Sequence, residues 1–142
     1  MRLLIILSVL FSPLSFAGHH SESNNDQIIF LLDLEVIEGK ENQVDDLIDR
    51  LVDNVKKTEP GTIAYEYYAS SKDRIFLYEV YENHAAAEFH VDSFLQGDLM
   101  PIFVDTFRVL TFEVLGTTTE QLKVKMKDFT QDHRPKTDGF KR

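Results

Sequence analysis

What most constrains this chain is the order in which its hydrophobic period changes. Residues 27–36 are rich in Ile, Leu, Phe and Val and alternate from Asp33 onward, which predicts a strand largely buried in its first half. Glu38-Gly39-Lys40 reads as a turn. Over 41–57 the period becomes helical: Val44, Leu47, Ile48, Leu51, Val52 and Val55 form one stripe, with Asp45, Asp46, Asp49 and Asp53 outside it. Glu41 at the start and Lys56-Lys57 at the end suit the helix dipole, and Glu59-Pro60-Gly61 stops the helix. Residues 62–69 and 75–81 are aromatic, β-prone runs joined by Ser70-Ser71-Lys72-Asp73, the pattern of a hairpin. Asn83 is an N-cap for a helix to about Ser93. A shorter helix starts at Leu99 with Pro101 in its first turn, and 109–115 is a fourth strand. The order β-α-β-β-α-β predicts an α+β, ferredoxin-like domain over 27–116, a four-stranded antiparallel sheet with helices on one face.

The two ends read differently. Met1-Arg2 precede an apolar run to Phe11, closed by Ser12-Pro13; Ser15 and Ala17 then stand at the −3 and −1 positions of a cut after Ala17. That is the layout of a signal peptide over 1–17, and the run is shorter than the ~20 residues a membrane-spanning helix needs. The alternative is a buried N-terminal helix or strand. The export reading places the chain in the periplasm or makes it secreted, and a chain without cysteine suits a bacterial periplasm or exterior. Residues 18–26 are polar and expected to be flexible. In 117–129, Leu122, Val124 and Met126 alternate with Lys123, Lys125 and Lys127, which predicts a short edge strand whose lysines discourage further pairing. A frayed helix is the alternative. Residues 130–142 are polar and expected to be disordered.

Composition removes whole classes of function. With 24 acidic against 15 basic residues, a net charge of −9, the chain lacks the cationic surface of a nucleic-acid binder or a polybasic membrane binder. Having no cysteine excludes disulfides, thiolate metal sites and cysteine nucleophiles. No glycine-rich phosphate loop, dinucleotide fingerprint, G-x-S-x-G turn or H-E-x-x-H motif is present.

Chemistry-bearing candidates remain. On a helix from Asn83, Ala86, Phe89, His90, Ser93 and Phe94 share one arc, so the His90 imidazole faces the sheet among apolar neighbours. It is either a general base or a histidine hydrogen-bonded for structure. Glu79 shares a strand face with Leu77 and Tyr81 and can act as a base, orient one, or pair with a surface cation. Glu66 has a similar place on the preceding strand, and no carboxylate dyad is inferred. The tyrosines of the hairpin and Phe94 and Phe103 suit either the wall of a flat-ligand pocket or a core. His84 and Glu88 are a two-ligand pair of the kind that chance supplies easily. A mature terminus Gly18-His19-His20 has the donors of a square-planar copper or nickel site, or is a mobile polar end.

Several pieces of the chain resemble the antibiotic-biosynthesis-monooxygenase family. Gly39-Lys40 opens the first helix as in that family. Glu59-Pro60-Gly61-Thr62-Ile63-Ala64-Tyr65-Glu66 is similar to its E-P-G-x-x-x-Y-E segment. Phe76-Leu77-Tyr78-Glu79-Val80-Tyr81-Glu82 resembles its third strand, and Ala85-Ala86-Ala87-Glu88-Phe89-His90 its A-A-x-x-x-H helix. The resemblance implies a domain that dimerises sheet against sheet into an α+β barrel, with a pocket between sheet and helices and His90 at its wall. Some relatives oxygenate phenols or quinols with O₂ and neither metal nor flavin; others degrade haem, isomerise small molecules, or have no known activity. Where the family continues H-x-x-S-x-H-F, His90 and Ser93 match, but Leu95 and Gln96 replace the second His and Phe. The haem-degrading branch uses an Asn on the first strand and a Trp on the third; Leu32 and Tyr81 stand there, and the chain has no Trp.

The resulting expectation is an exported monooxygenase without cofactor or metal, acting on a quinol or phenol-like aromatic and O₂. His90 is its base, Glu79 and Tyr65 orient imidazole or substrate, and Tyr81, Phe94 and Phe103 bind the ring. A homodimer is expected through the uncovered sheet face. The alternatives are a non-catalytic dimeric module binding an apolar small molecule, and a structural role for the same dimer. A cavity open beside His90 favours the first two; one filled by Phe89, Phe94 and Phe103 favours the last.

Overall fold

Strand β1, Ile28–Val36, alternates along its whole length: Ile28, Phe30, Leu32, Leu34 and Val36 are buried, and the residues between them only partly so. The computed structural model describes residues 26–140; the signal-peptide and Gly18-His19-His20 readings lie outside them. After a 3-10 turn at Glu41–Gln43, helix α1, Val44–Thr58, buries Val44, Leu47, Leu51 and Val55, members of the expected stripe. Pro60 cannot continue a helix, and the Glu59 and Thr62 amides close the turn onto Val55 and Glu59 carbonyls.

Strands β2, Thr62–Ala69, and β3, Arg74–Tyr81, form the hairpin. Helix α2, His84–Gln96, is capped by Asn83, whose Oδ1 accepts the Ala86 N–H at 3.0 Å. Helix α3, Met100–Thr106, holds Pro101 in its first turn and runs directly into β4, Phe107–Leu115. The chain closes with α4, Glu120–Met126, and β5, Asp132–Arg134.

The sheet order is β2-β3-β1-β4-β5. The first four strands pair antiparallel, and β5 lies parallel to β4. The fold is thus the ferredoxin-like α+β arrangement, with an open sheet of five strands rather than four. Two C-terminal expectations are corrected. Residues 120–126 are helical, not an edge strand: Thr119 caps the helix by accepting the Leu122 N–H at 3.0 Å, Leu122 and Met126 are buried, and Val124 is 64% exposed. The short strand comes later, inside the segment expected to be disordered, and Thr130 ties it down by donating to the Phe112 carbonyl.

On the sheet face away from the core lie half-buried Ile29 and Leu31 with exposed Tyr68 and Phe76. Asp33–Arg74 and Glu35–Arg108 ion pairs occupy its other end. No helix among the described residues is long and apolar enough to cross a membrane.

Candidate functional site

Cross-strand register sets the floor of the site. Tyr65, Glu79 and Phe30 lie side by side on β2, β3 and β1, and Tyr67, Leu77, Leu32 and Phe112 form the next row. Helix α2 forms the roof. Its buried residues are Ala87, His90 and Val91, with Phe94 packed against the core, which places one face at i, i+3, i+4, i+7. Phe89, expected on that face, is 53% exposed. The difference comes from α4, which packs on α2. Thr119 Oγ1 donates to Glu88 Oε1 at 2.8 Å and Lys125 pairs with Asp92, so the covered side of α2 turns toward Val91.

The His90 side chain is 8% exposed and sits between two carboxylates. Nδ1 is 2.8 Å from Glu59 Oε2; a carboxylate can only accept, so Nδ1 carries the hydrogen. Nε2 lies 3.9 Å from Glu79 Oε1, an ion-pair separation rather than a hydrogen bond. Tyr81 donates to Glu79 Oε2 at 2.6 Å, and Thr62 donates to Glu59 Oε2 at 3.1 Å. The Tyr65 and Tyr67 hydroxyls share a 3.0 Å hydrogen bond, and the Tyr65 ring lies 5.7 Å from the imidazole. Phe94 lies nearly parallel to the imidazole at 6.3 Å.

Glu59 reaches His90 because the Pro60-Gly61 turn presses on the start of α2. A Cβ on Gly61 would stand 2.7 Å from the Ala86 Cβ, so only glycine allows this approach.

Burial and charge oppose each other here. Burial pushes His90 down, but the Glu79 charge and the Glu59 hydrogen bond and charge outweigh it, and its proton affinity ends above the ordinary 6.5. Burial raises Glu79 above its ordinary 4.5, with the Glu59 charge adding to it and His90 and the Tyr81 hydroxyl opposing. Burial likewise pushes the Tyr65 and Tyr81 phenols well up, so both are hydrogen-bonding alcohols at neutral pH.

Beside His90 is a cavity of about 300 Å³. Its walls are mainly apolar: Phe30, Leu32 and Leu77 from the sheet, Phe94 and Phe103 from α2 and α3, and Met126 and Phe129 from the C-terminal segment. Glu79, Tyr65 and Asp128 also border it. A second cavity of about 260 Å³ lies across His90, lined by Arg50, Asn54, Glu59, Ser93 and Asp98 among others.

The structure therefore brings His90, Glu79, Tyr65, Phe94 and Phe103 to one cavity, which the phenylalanines line without filling. Tyr81 is not on its wall: fully buried, it reaches the site through its hydroxyl to Glu79. Glu66 faces the other side of the sheet and accepts from Tyr68. The participant missed from sequence is Glu59, which reads there as a helix stop and as the first residue of the E-P-G segment but not as a site residue. Among the described residues no group of three or more His, Cys, Asp or Glu is placed to hold a metal ion. The His84–Glu88 pair is 3.9 Å apart on the surface of α2.

The family model for antibiotic biosynthesis monooxygenases matches residues 27–107, more than half of the chain. The chain belongs to this family. Solved structures agree on the fold. MupZ from Pseudomonas fluorescens superposes with a TM-score of 0.74 at 16% identity, over 83% of this chain and 96% of that one. SnoaB from Streptomyces nogalater, described as a cofactor-independent oxygenase, gives 0.54 at 11% identity over 66% and 95%. A conserved protein from Methanosarcina mazei gives 0.58 at 14% identity over 67% and 96%. No curated protein matches the chain in sequence. The monooxygenase-family match ends where β4 begins, so the walls supplied by Phe112, Met126, Asp128 and Phe129 lie beyond it.

Proposed function

We propose that this protein is an exported, cofactor-independent monooxygenase that oxidises a quinol or phenol-like aromatic with O₂. The observation that carries the reading is the placing of one buried histidine, flanked by two carboxylates, at the wall of a largely apolar cavity. Its family includes cofactor-independent oxygenases such as SnoaB. Triplet O₂ reacts slowly with a neutral phenol and accepts an electron far more readily from a phenolate. The protein's task is then to remove one proton, hold the ring and exclude water. His90 takes the hydroxyl proton at Nε2, Glu79 holds the imidazolium, Tyr65 orients the substrate oxygen, and Phe94 and Phe103 hold the ring. Tyr81 acts through Glu79 rather than on the ring.

Oxygen uptake by the purified, metal-free chain tests this with a panel of quinols and phenols. His90→Ala is expected to lose roughly 10²–10⁴-fold in rate, the usual contribution of a positioned base. Uptake no faster than the spontaneous reaction for the whole panel would overturn turnover. It would favour the alternative, a dimeric module that binds an apolar small molecule in the same cavity. Export rests on the layout of residues 1–17; N-terminal sequencing of cell-envelope or culture-fluid material should start near Gly18, and an intact Met1 would refute it.

A further inference from the structure

We propose that Glu59 is the outlet of a proton relay through His90, leading from the apolar cavity over the sheet to the polar cavity beside α1. The inference rests on the reading that a ligand hydroxyl loses its proton in the apolar cavity. It adds where that proton goes.

Placement of the three side chains carries the argument. Glu79 borders only the apolar cavity and Glu59 only the second one; His90, Tyr65 and Phe94 border both, and of these His90 is the one hydrogen-bonded to Glu59. The two ring nitrogens face opposite ways, Nε2 toward Glu79 and Nδ1 toward Glu59. Imidazole can bind a proton on one nitrogen while releasing one from the other. In the relay the ligand O–H bond breaks, its electron pair stays on the ligand oxygen, and the proton joins Nε2. The Nδ1–H bond then breaks and that proton joins Glu59 Oε2, 2.8 Å away, neutralising the carboxylate. Water in the polar cavity, among Arg50, Asn54 and Asp98, finally takes it. One proton crosses and no electron leaves the ligand.

The groups facing His90 explain why an outlet is needed. Glu59 approaches from the turn after α1, Glu79 and Tyr81 from β3, Tyr65 from β2 and Phe94 from its own helix. The carboxylates raise the proton affinity of the ring, so a proton arriving from the ligand stays there until another group draws one off. Glu59 is the carboxylate within hydrogen-bonding distance. It is a positioning residue in this scheme, acting through the imidazole and not on the ligand.

The test uses 4-nitrophenol, whose phenolate is coloured, with a pH-indicator dye in weak buffer to follow proton release by stopped flow. With the wild-type chain, bound nitrophenol is expected to ionise and a proton to reach solvent. Glu59→Gln keeps an acceptor for Nδ1 but cannot take its proton; release is expected to slow roughly 10²-fold while binding is retained. Glu59→Ala opens the polar cavity, and added formate is expected to restore fast release, a response that a merely structural carboxylate would not give. If wild-type protein binds nitrophenol without ionising it, the proposed function fails. If it ionises the probe and Glu59→Gln releases the proton at the wild-type rate, only the relay fails. Should neither Glu59 variant fold, Asn54→Phe narrows the polar cavity from the exposed side of α1 and is expected to slow release; wild-type release there overturns the relay.

Discussion

Replacing His90 by Gln removes the basic group between two buried carboxylates while keeping most of the side-chain volume. The Glu59 and Glu79 side chains are 3% and 4% exposed, so water cannot replace the lost partner. The folded variant has two routes. It can keep an unpaired buried carboxylate, which costs about 3–5 kcal/mol. Or it can protonate one: from an ordinary value of 4.5, at ~1.4 kcal/mol per unit, neutralisation near pH 7 costs roughly 3–4 kcal/mol. The routes cost nearly the same, so the expected loss at neutral pH is about 3 kcal/mol.

Its pH dependence separates charge from packing. The folded-state value of His90 is raised, so its contribution is full below 6.5 and is lost as pH rises through that raised value. Glu79 is raised as well, so its contribution is full below 4.5 and lost as pH climbs through its own raised value. Wild-type advantage over His90→Gln should therefore fall as pH rises through the raised His90 value; toward acid it falls too, because protonation of Glu79 removes the buried charge that the variant leaves unpaired. Urea unfolding followed by circular dichroism across that range measures it. A variant as stable as wild type at neutral pH, or a loss that ignores pH, would refute the charge assignment.

Three further outcomes are expected. Gly61→Ala drives a methyl group into Ala86 and should cost about 1–3 kcal/mol; an NMR titration should also find His90 closer to its ordinary value, and an unchanged titration would refute the role of the turn. The wild-type chain should sediment as a homodimer and Phe76→Asp as a monomer, since Phe76 and Tyr68 lie exposed on the open sheet face; a wild-type monomer at micromolar concentration counts against that interface. Met126→Ala should cost about 2–5 kcal/mol and improve kcat/KM for larger quinols relative to smaller ones, because Met126 is both buried and a cavity wall; an unchanged ratio removes Met126 from the site.

Much of the sheet and the first three helices was legible because caps and turns agreed with the hydrophobic period. Asn83, Pro101 and the 62–69 run did what their residue types favour. Alternation at 122–127 misled because Leu122 and Met126 fit both periods. Only Val124 separates them, and it is exposed. Thr119 followed by Glu120 carried the capping signal that decides for helix. Phe89 falls on the inward arc by helical spacing alone, and only the packing of α4 on α2 turns the covered face away from it. Glu59 is a different case: a carboxylate before Pro-Gly reads as the end of a helix, and its partner stands 31 residues away. Nothing local predicts that pairing. The Gly61–Ala86 approach that creates it is legible only in three dimensions.

The three residues of β5 also bear on how copies of this chain can assemble. β5 pairs with Glu113, Val114 and Leu115 at the end of β4 and leaves residues 107–112 of that edge open, while β2 is the opposite edge of the sheet. A sheet with two free edges can recruit a copy at each and grow head to tail without end. Shortening one of those edges weakens growth on that side. Asp132 and Arg134 add an ion pair to each other and a more distant contact from Arg134 to Glu113, placing charge along the short edge itself. A tail that looks like an afterthought in the sequence thus shortens the stretch of β4 open to a further strand, and its deletion would lengthen that stretch by three residues.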